Sequence, residues 1–169
     1  MRLYVGIDPG ITGAIAAVTE QGDLYRVYDL PTIANGKAGA KVKRKLNGAE
    51  LARILTVGFS DFEPRELRIV VEQVSSMPGQ GVASVFSLGQ TAGKIEGVLE
   101  ALGLGYTYVH PKTWKKFYKL LRAEKEHSRA LALQTWPLAG AVEFSRKMDQ
   151  NRAEACLIAK WGITMGGFV

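Results

Sequence analysis

Three carboxylates stand where freely solvated acids are not expected. Asp8 closes an alternating run in which Leu3, Val5 and Ile7 share one face and Tyr4, Gly6 and Asp8 the other, just ahead of a Pro9-Gly10 turn. Glu72 ends the apolar run Ile69-Val70-Val71. An unpaired buried carboxylate is costly, so two acids at the ends of separate buried strands point to a cation between them. Taken singly, Asp8 reads equally well as a turn former and Glu72 as a surface residue; taken together those readings weaken. The third acid is Glu154, which helical spacing puts on one face with Leu157, Ile158 and Trp161. Asn151 shares that face. Asp149 lies off it in a regular helix, and reaches the site if the helix begins near Gln150.

Hard oxygen donors in small number, with water or phosphate completing the shell, suit Mg²⁺. Two such ions roughly 3.5–4 Å apart, sharing a carboxylate and a scissile phosphate, would activate water and stabilise the leaving oxygen. Two histidines and one cysteine offer no zinc spacing.

These acids need elements to hold them. Strands over 2–8, 14–19 and 24–30, joined by short turns, read as an antiparallel meander. Residues 34–48, rich in Gly and Lys, read as a mobile surface loop, and Asn47 as the N-cap of a helix through Glu50, Leu51, Ile54 and Leu55. The β-branched run 68–72 reads as a buried parallel strand. After a small-residue loop at 75–81, Val85, Leu88, Ala92, Ile95 and Leu99 predict a helix over 82–102. Gly89 and Gly93, four apart, leave room either for a second helix, making this a candidate dimer surface, or for tight packing on the sheet. A fifth strand over 106–109 and helices near 112–121, 126–136 and 151–161 complete a mixed α/β sandwich.

At 169 residues the chain is about one domain long, and the whole of it, 1–169, reads as one unit. Its lone cysteine cannot form an internal disulfide, which suggests a reducing, cytoplasmic compartment. No stretch reaches the roughly 18 apolar residues of a membrane span, and the start is too short in apolar residues to be a secretory signal. The net charge of +6 is uneven. Residues 37–45 hold five cations and no acid, and 110–129 carry a net +5. Solvated lysines explain such runs in part; a polyanionic partner explains their concentration.

Collinear motifs then resemble a family. GIDPGITGAIA at 6–16, VVEQV at 70–74, MPGQGVASVFSLGQTAG at 77–93 and NRAEACLIAKWG at 151–162 look like the RuvC family of Holliday-junction resolvases, and most like its phage and prophage members. The resemblance implies an RNase H-like fold with a mixed five-stranded sheet, three strands antiparallel and then parallel ones, flanked by helices. It implies a homodimer making paired, Mg²⁺-dependent nicks in branched DNA, four-way junctions above all, with 5′-phosphate and 3′-hydroxyl ends and with Mn²⁺ able to substitute. Asp8, Glu72 and Glu154 match the family's acids, whereas the remaining helix acid falls on Asn151. Asn offers only a neutral carbonyl, so Asp149 is the preferred fourth carboxylate.

By the same comparison Lys112, Lys115, Lys116, Lys119, Lys125 and Arg129 are candidate phosphate contacts, joined by Lys41, Lys43, Arg44 and Lys45 of the basic loop. Met77 and Phe86 are candidate wedges into an opened junction, although core packing on the long helix is slightly favoured for Phe86. The same acids would serve an RNase H-like nuclease acting on RNA–DNA hybrid or non-junction DNA. Asn151 keeps open an inert junction-binding protein. A nucleotide-dependent phosphotransferase, suggested by Gly6–Gly13, needs a second lobe that 169 residues do not provide, so no nucleotide cofactor is expected.

Overall fold

The computed structural model describes residues 1–35, 43–76 and 79–165. Its centre is a five-stranded sheet in the order β3-β2-β1-β6-β7. β1 (Leu3–Ile7), β2 (Ala14–Thr19) and β3 (Leu24–Asp29) form the expected antiparallel meander, while β6 (Leu67–Glu72) runs parallel to β1 and β7 (Tyr106–Val109) parallel to β6.

Both faces of the sheet are covered. Leu3, Val5 and Ile7 pack with Leu51, Ile54, Leu55, Ile95 and Leu99, from α1 (Gly48–Thr56) and α2 (Val82–Ala101). Asn47 caps α1 as expected, its side chain accepting from the Glu50 N–H. On the opposite face Ala14, Ala16, Val18 and Val70 pack against α6 (Gln150–Thr164), whose Leu157, Ile158 and Trp161 are buried. α3 (Pro111–Phe117), α4 (Lys125–Thr135) and α5 (Pro137–Glu143) complete that layer.

Small residues in the sheet let α6 come close. A Cβ on Gly6 would stand 2.2 Å from the Ala155 carbonyl oxygen and 2.5 Å from the Ala159 nitrogen. Only a glycine leaves space for helix backbone to lie directly on strand backbone there.

Two expectations change. The segment expected as a loop over 34–48 instead contributes a two-stranded hairpin, β4 (Thr32–Asn35) with β5 (Lys43–Leu46), and residues 36–42 between them lie outside the described ones. β5 is pinned by an apolar anchor, Leu46, buried in the α1/α2 core, so cationic neighbours do not prevent pairing. The second change concerns the glycines of α2. A Cβ at Gly89, Gly93 or Gly97 would meet nothing within 4 Å, so close packing on the sheet does not explain them. The first half of α2 is largely exposed.

Candidate active site

β1 and β6 are adjacent, parallel and in register, with Ile7 opposite Val71. Asp8 and Glu72 are the next residues on each, so the two acids leave the same end of the sheet side by side. The Asp8 loop is fixed locally: the Asp8 N–H donates to the Ala14 carbonyl at 3.0 Å, and its Oδ1 accepts from the Gly10 N–H at 3.1 Å. Gly13 closes against this loop so tightly that a Cβ would sit 2.0 Å from the Asp8 carbonyl oxygen.

Glu154 immediately precedes Ala155, the residue that touches Gly6, so the close α6 crossing carries the third acid to this end of the sheet. Its Oε1 accepts from the Ser128 hydroxyl of α4 at 3.1 Å and stands 3.5 Å from Lys115 Nζ of α3. Lys115 in turn lies 5.1 Å from the Trp114 ring centroid. Trp114 is fully buried.

Burial pushes Glu72 up to about 7, and the negative charges of Asp8 and Glu154 add to the rise while Lys115 opposes it. The Trp114 indole N–H opposes it too, weakly, because Nε1 meets hydrogen-bond geometry with no partner. Three acids that feel each other's charge, with a single lysine set among them, form a site short of positive charge. Among the described residues no three Asp, Glu, His or Cys side chains form a ready-made metal shell. The fit to a hard divalent cation lies in the donor chemistry: carboxylate oxygens, mutual repulsion and partial burial.

The expected fourth carboxylate is engaged elsewhere. Asp149 is buried, 2% exposed, and both its oxygens go to Arg146: Oδ1 accepts from Nη2 at 2.7 Å and Nε at 3.0 Å, Oδ2 from the backbone N–H at 2.7 Å. Burial works against its charge, and the Arg146 bonds outweigh burial, holding it below the ordinary carboxylate range. Its charge is thus already neutralised by a guanidinium that a metal would have to displace. Asn151 faces the Asp8 loop instead, its Nδ2 donating to the Thr12 carbonyl at 2.7 Å and hydroxyl at 3.0 Å.

Other expected contacts divide. Lys112, Lys116 and Lys119 are exposed, whereas Lys115 is drawn into the acid cluster. Arg129 turns out to be structural: it donates to the Phe144 carbonyl at 2.7 Å and to Glu126 at 2.5 Å, tying α4 to the end of α5. Arg44 is exposed but held by Thr32, and with Lys45 and Lys94 lines a groove of about 470 Å³ between β5 and α2. Phe86 is 66% exposed and lines a second groove with Ile11 and Thr12 of the Asp8 loop, so it does not belong to the core. Lys41 and Met77 fall outside the described residues, as do the side chains of Lys43 and Lys125.

Sequence reasoning passed over Ser128, Trp114, Arg146 and Lys94. Each acts across elements far apart in the chain or through a local turn, and no spacing rule marks them.

No protein-family model matches the chain, and no curated protein sequence does. Solved structures do. The chain is similar to Thermus thermophilus RuvC in complex with a Holliday junction substrate, with a TM-score of 0.64 at 16% identity over 99% of this chain and 97% of that one. It is similar also to a second T. thermophilus RuvC structure, with a TM-score of 0.54 at 20% identity over 97% and 96%. The fold is therefore RuvC-like and RNase H-like, a mixed sheet between helical layers.

Proposed function

We propose that this protein is a divalent-metal-dependent endonuclease that cuts branched DNA, four-way junctions in particular, by phosphodiester hydrolysis. One observation carries the reading: Glu72 stands beside Asp8 and Glu154 at the end of the sheet, pushed up to about 7 first by burial and then by the negative charges of those two acids. The likeness to a RuvC bound to a Holliday junction supplies the substrate class.

Asp8, Glu72 and Glu154 would hold the metal, Mg²⁺ with Mn²⁺ as substitute and two ions in the full site, while Asn151 orders the Asp8 loop. The metal would supply Lewis acidity and a water of lowered pKa. Ser128 fixes one oxygen of Glu154. Lys115 offers its ammonium to the acids and, with DNA bound, to the scissile phosphate. Exposed Lys112 and Lys116 hold the backbone. The products are 5′-phosphate and 3′-hydroxyl ends. Paired nicks call for two such sites, hence a homodimer, for which the open Gly89–Gly93–Gly97 face of α2 is the available surface.

Labelled four-way junction, linear duplex and RNA–DNA hybrid, each with Mg²⁺ or EDTA, test the reading alongside Asp8→Asn and Glu72→Gln. Mg²⁺-dependent nicking of the junction, lost in both variants, is expected. Junction cutting that survives Asp8→Asn refutes the site, hybrid cleavage exceeding junction cleavage refutes the substrate, and tight junction binding without nicking makes it an inert binder.

A further inference from the structure

The segment joining α3 to α4 holds a backbone oddity that its fold does not require. Among the described residues five have left-handed φ, and three are glycines: Gly22, Gly79 and Gly103. The other two are cations three residues apart, Lys119 at φ 59° and Arg122 at φ 63°.

Each occupies a position whose geometry favours glycine. Lys119 follows the last turn of α3: its N–H donates to the Lys116 carbonyl at 3.1 Å, and the Leu120 N–H reaches back to the Lys115 carbonyl at 2.7 Å. That pair of bonds is a Schellman C-cap with Lys119 at its left-handed residue, and buried Leu120 supplies the accompanying apolar contact. Arg122 is third in the next turn, closed by the Ala123 N–H donating to the Leu120 carbonyl at 3.2 Å. A positive φ at that place is the mark of a type II turn, which takes Gly or Asn.

A lysine and an arginine are costlier than glycine in this conformation. Both side chains are exposed, and among the described residues neither has an ion-pair partner. Two turns that merely reversed the chain would be served better by glycine. The flanking residues Phe117 and Leu121 are apolar and about half exposed beside the cations. One helical turn before Lys119 lies Lys115, at the acid cluster.

We infer that Lys119 and Arg122 are a rigid DNA-backbone grip, held out by strained turns to contact phosphates of the strand that continues from the cut site. A fixed left-handed backbone limits the directions each side chain samples, so part of the ordering that binding requires is already made. The inference rests on the nuclease reading for its ligand, and it goes beyond that reading in assigning Arg122 a role and Lys119 a geometry.

The test is Lys119→Gly, Arg122→Gly and the double variant in the full chain, with Lys119→Arg as the charge-conserving comparison. Melting temperature, and junction affinity across a salt series in Ca²⁺ to block cutting, are measured for each. Expected are melting temperatures at or above that of the unaltered protein, and a salt slope shallower by about 0.9 for each lost phosphate contact. The double variant should bind junction about tenfold or more weakly at a fixed moderate salt, while Lys119→Arg keeps its affinity. Glycine variants that bind with unchanged affinity and slope overturn the grip, as do glycine variants that melt lower, because the turns would then need the cations for folding. Failure of the unaltered protein to bind any junction would overturn the nuclease reading as well, which separates the two.

Discussion

Gly6→Ala is the sharpest perturbation available, because one methyl group tests the fold and the chemistry together. The added Cβ would stand 2.2 Å from the Ala155 carbonyl oxygen and 2.5 Å from the Ala159 nitrogen. Carbon–oxygen contacts relax at about 3.3 Å, so α6 must retreat by roughly 1 Å. Both opposing atoms are backbone, in a helix packed on β1, β2 and β6 and on α4, and no rotamer change relieves them. Overpacking of this kind costs about 1–3 kcal/mol, and a contact with backbone belongs at the upper end. Ala155 is the immediate neighbour of Glu154, so the acid moves with the helix. A misplacement of about 1 Å lowers a rate by on the order of 100-fold. Single-turnover junction cleavage in saturating Mg²⁺, with a parallel urea melt, reads both quantities. A variant that melts like the unaltered protein and cuts within about threefold of its rate would refute the idea that α6 lies on β1 at Gly6 to position Glu154.

Two further outcomes follow from the electrostatics. Glu72 is pushed up to about 7 in the fold. A raised pKa means the folded protein holds a proton that the unfolded chain has released, so stability without metal should fall as pH rises from about 4.5 to about 7, by up to about 3 kcal/mol. Glu72→Gln should flatten that profile, and so should Mg²⁺; a metal-free profile already flat over this range contradicts the crowding of acids. For Asp149 the sign is opposite: its depressed pKa gives stability that is present above its unfolded value and lost as pH falls through the folded one. Asp149→Asn should cost about 1.5–3 kcal/mol at neutral pH and leave metal affinity nearly unchanged once the protein is kept folded, as measured by calorimetric Mn²⁺ titration. A large loss of Mn²⁺ affinity with normal stability would make it a ligand after all.

Much of this site is legible in the chain. Period-two alternation assigned Leu3, Val5 and Ile7 to one face and Gly6 and Asp8 to the other, and the structure packs the first set on α1 and α2 and lays Gly6 against α6. Helical spacing likewise assigned Glu154 to the face of α6 that packs on the sheet. These patterns are readable because they follow from the repeat of the backbone itself. Phe86 shows the limit: it lies on the opposite side of α2 from the stripe that buries Ile95 and Leu99, in a half of the helix that the other described residues leave largely exposed.

The carboxylates at the strand ends and on the last helix, the basic segments and the five strands of the central sheet were thus determined by the sequence itself, through short-range periodicity and composition. Tertiary structure alone decided which groups meet. It put Ser128 and Lys115 on Glu154, gave Asp149 to Arg146 and Arg129 to the end of α5, and set Lys119 and Arg122 in left-handed turns. The physical reason is one of range. A repeat of two or 3.6 residues fixes the direction of a side chain from its own element, whereas its partner, its charge state and its backbone strain depend on elements brought alongside by burial of the whole core.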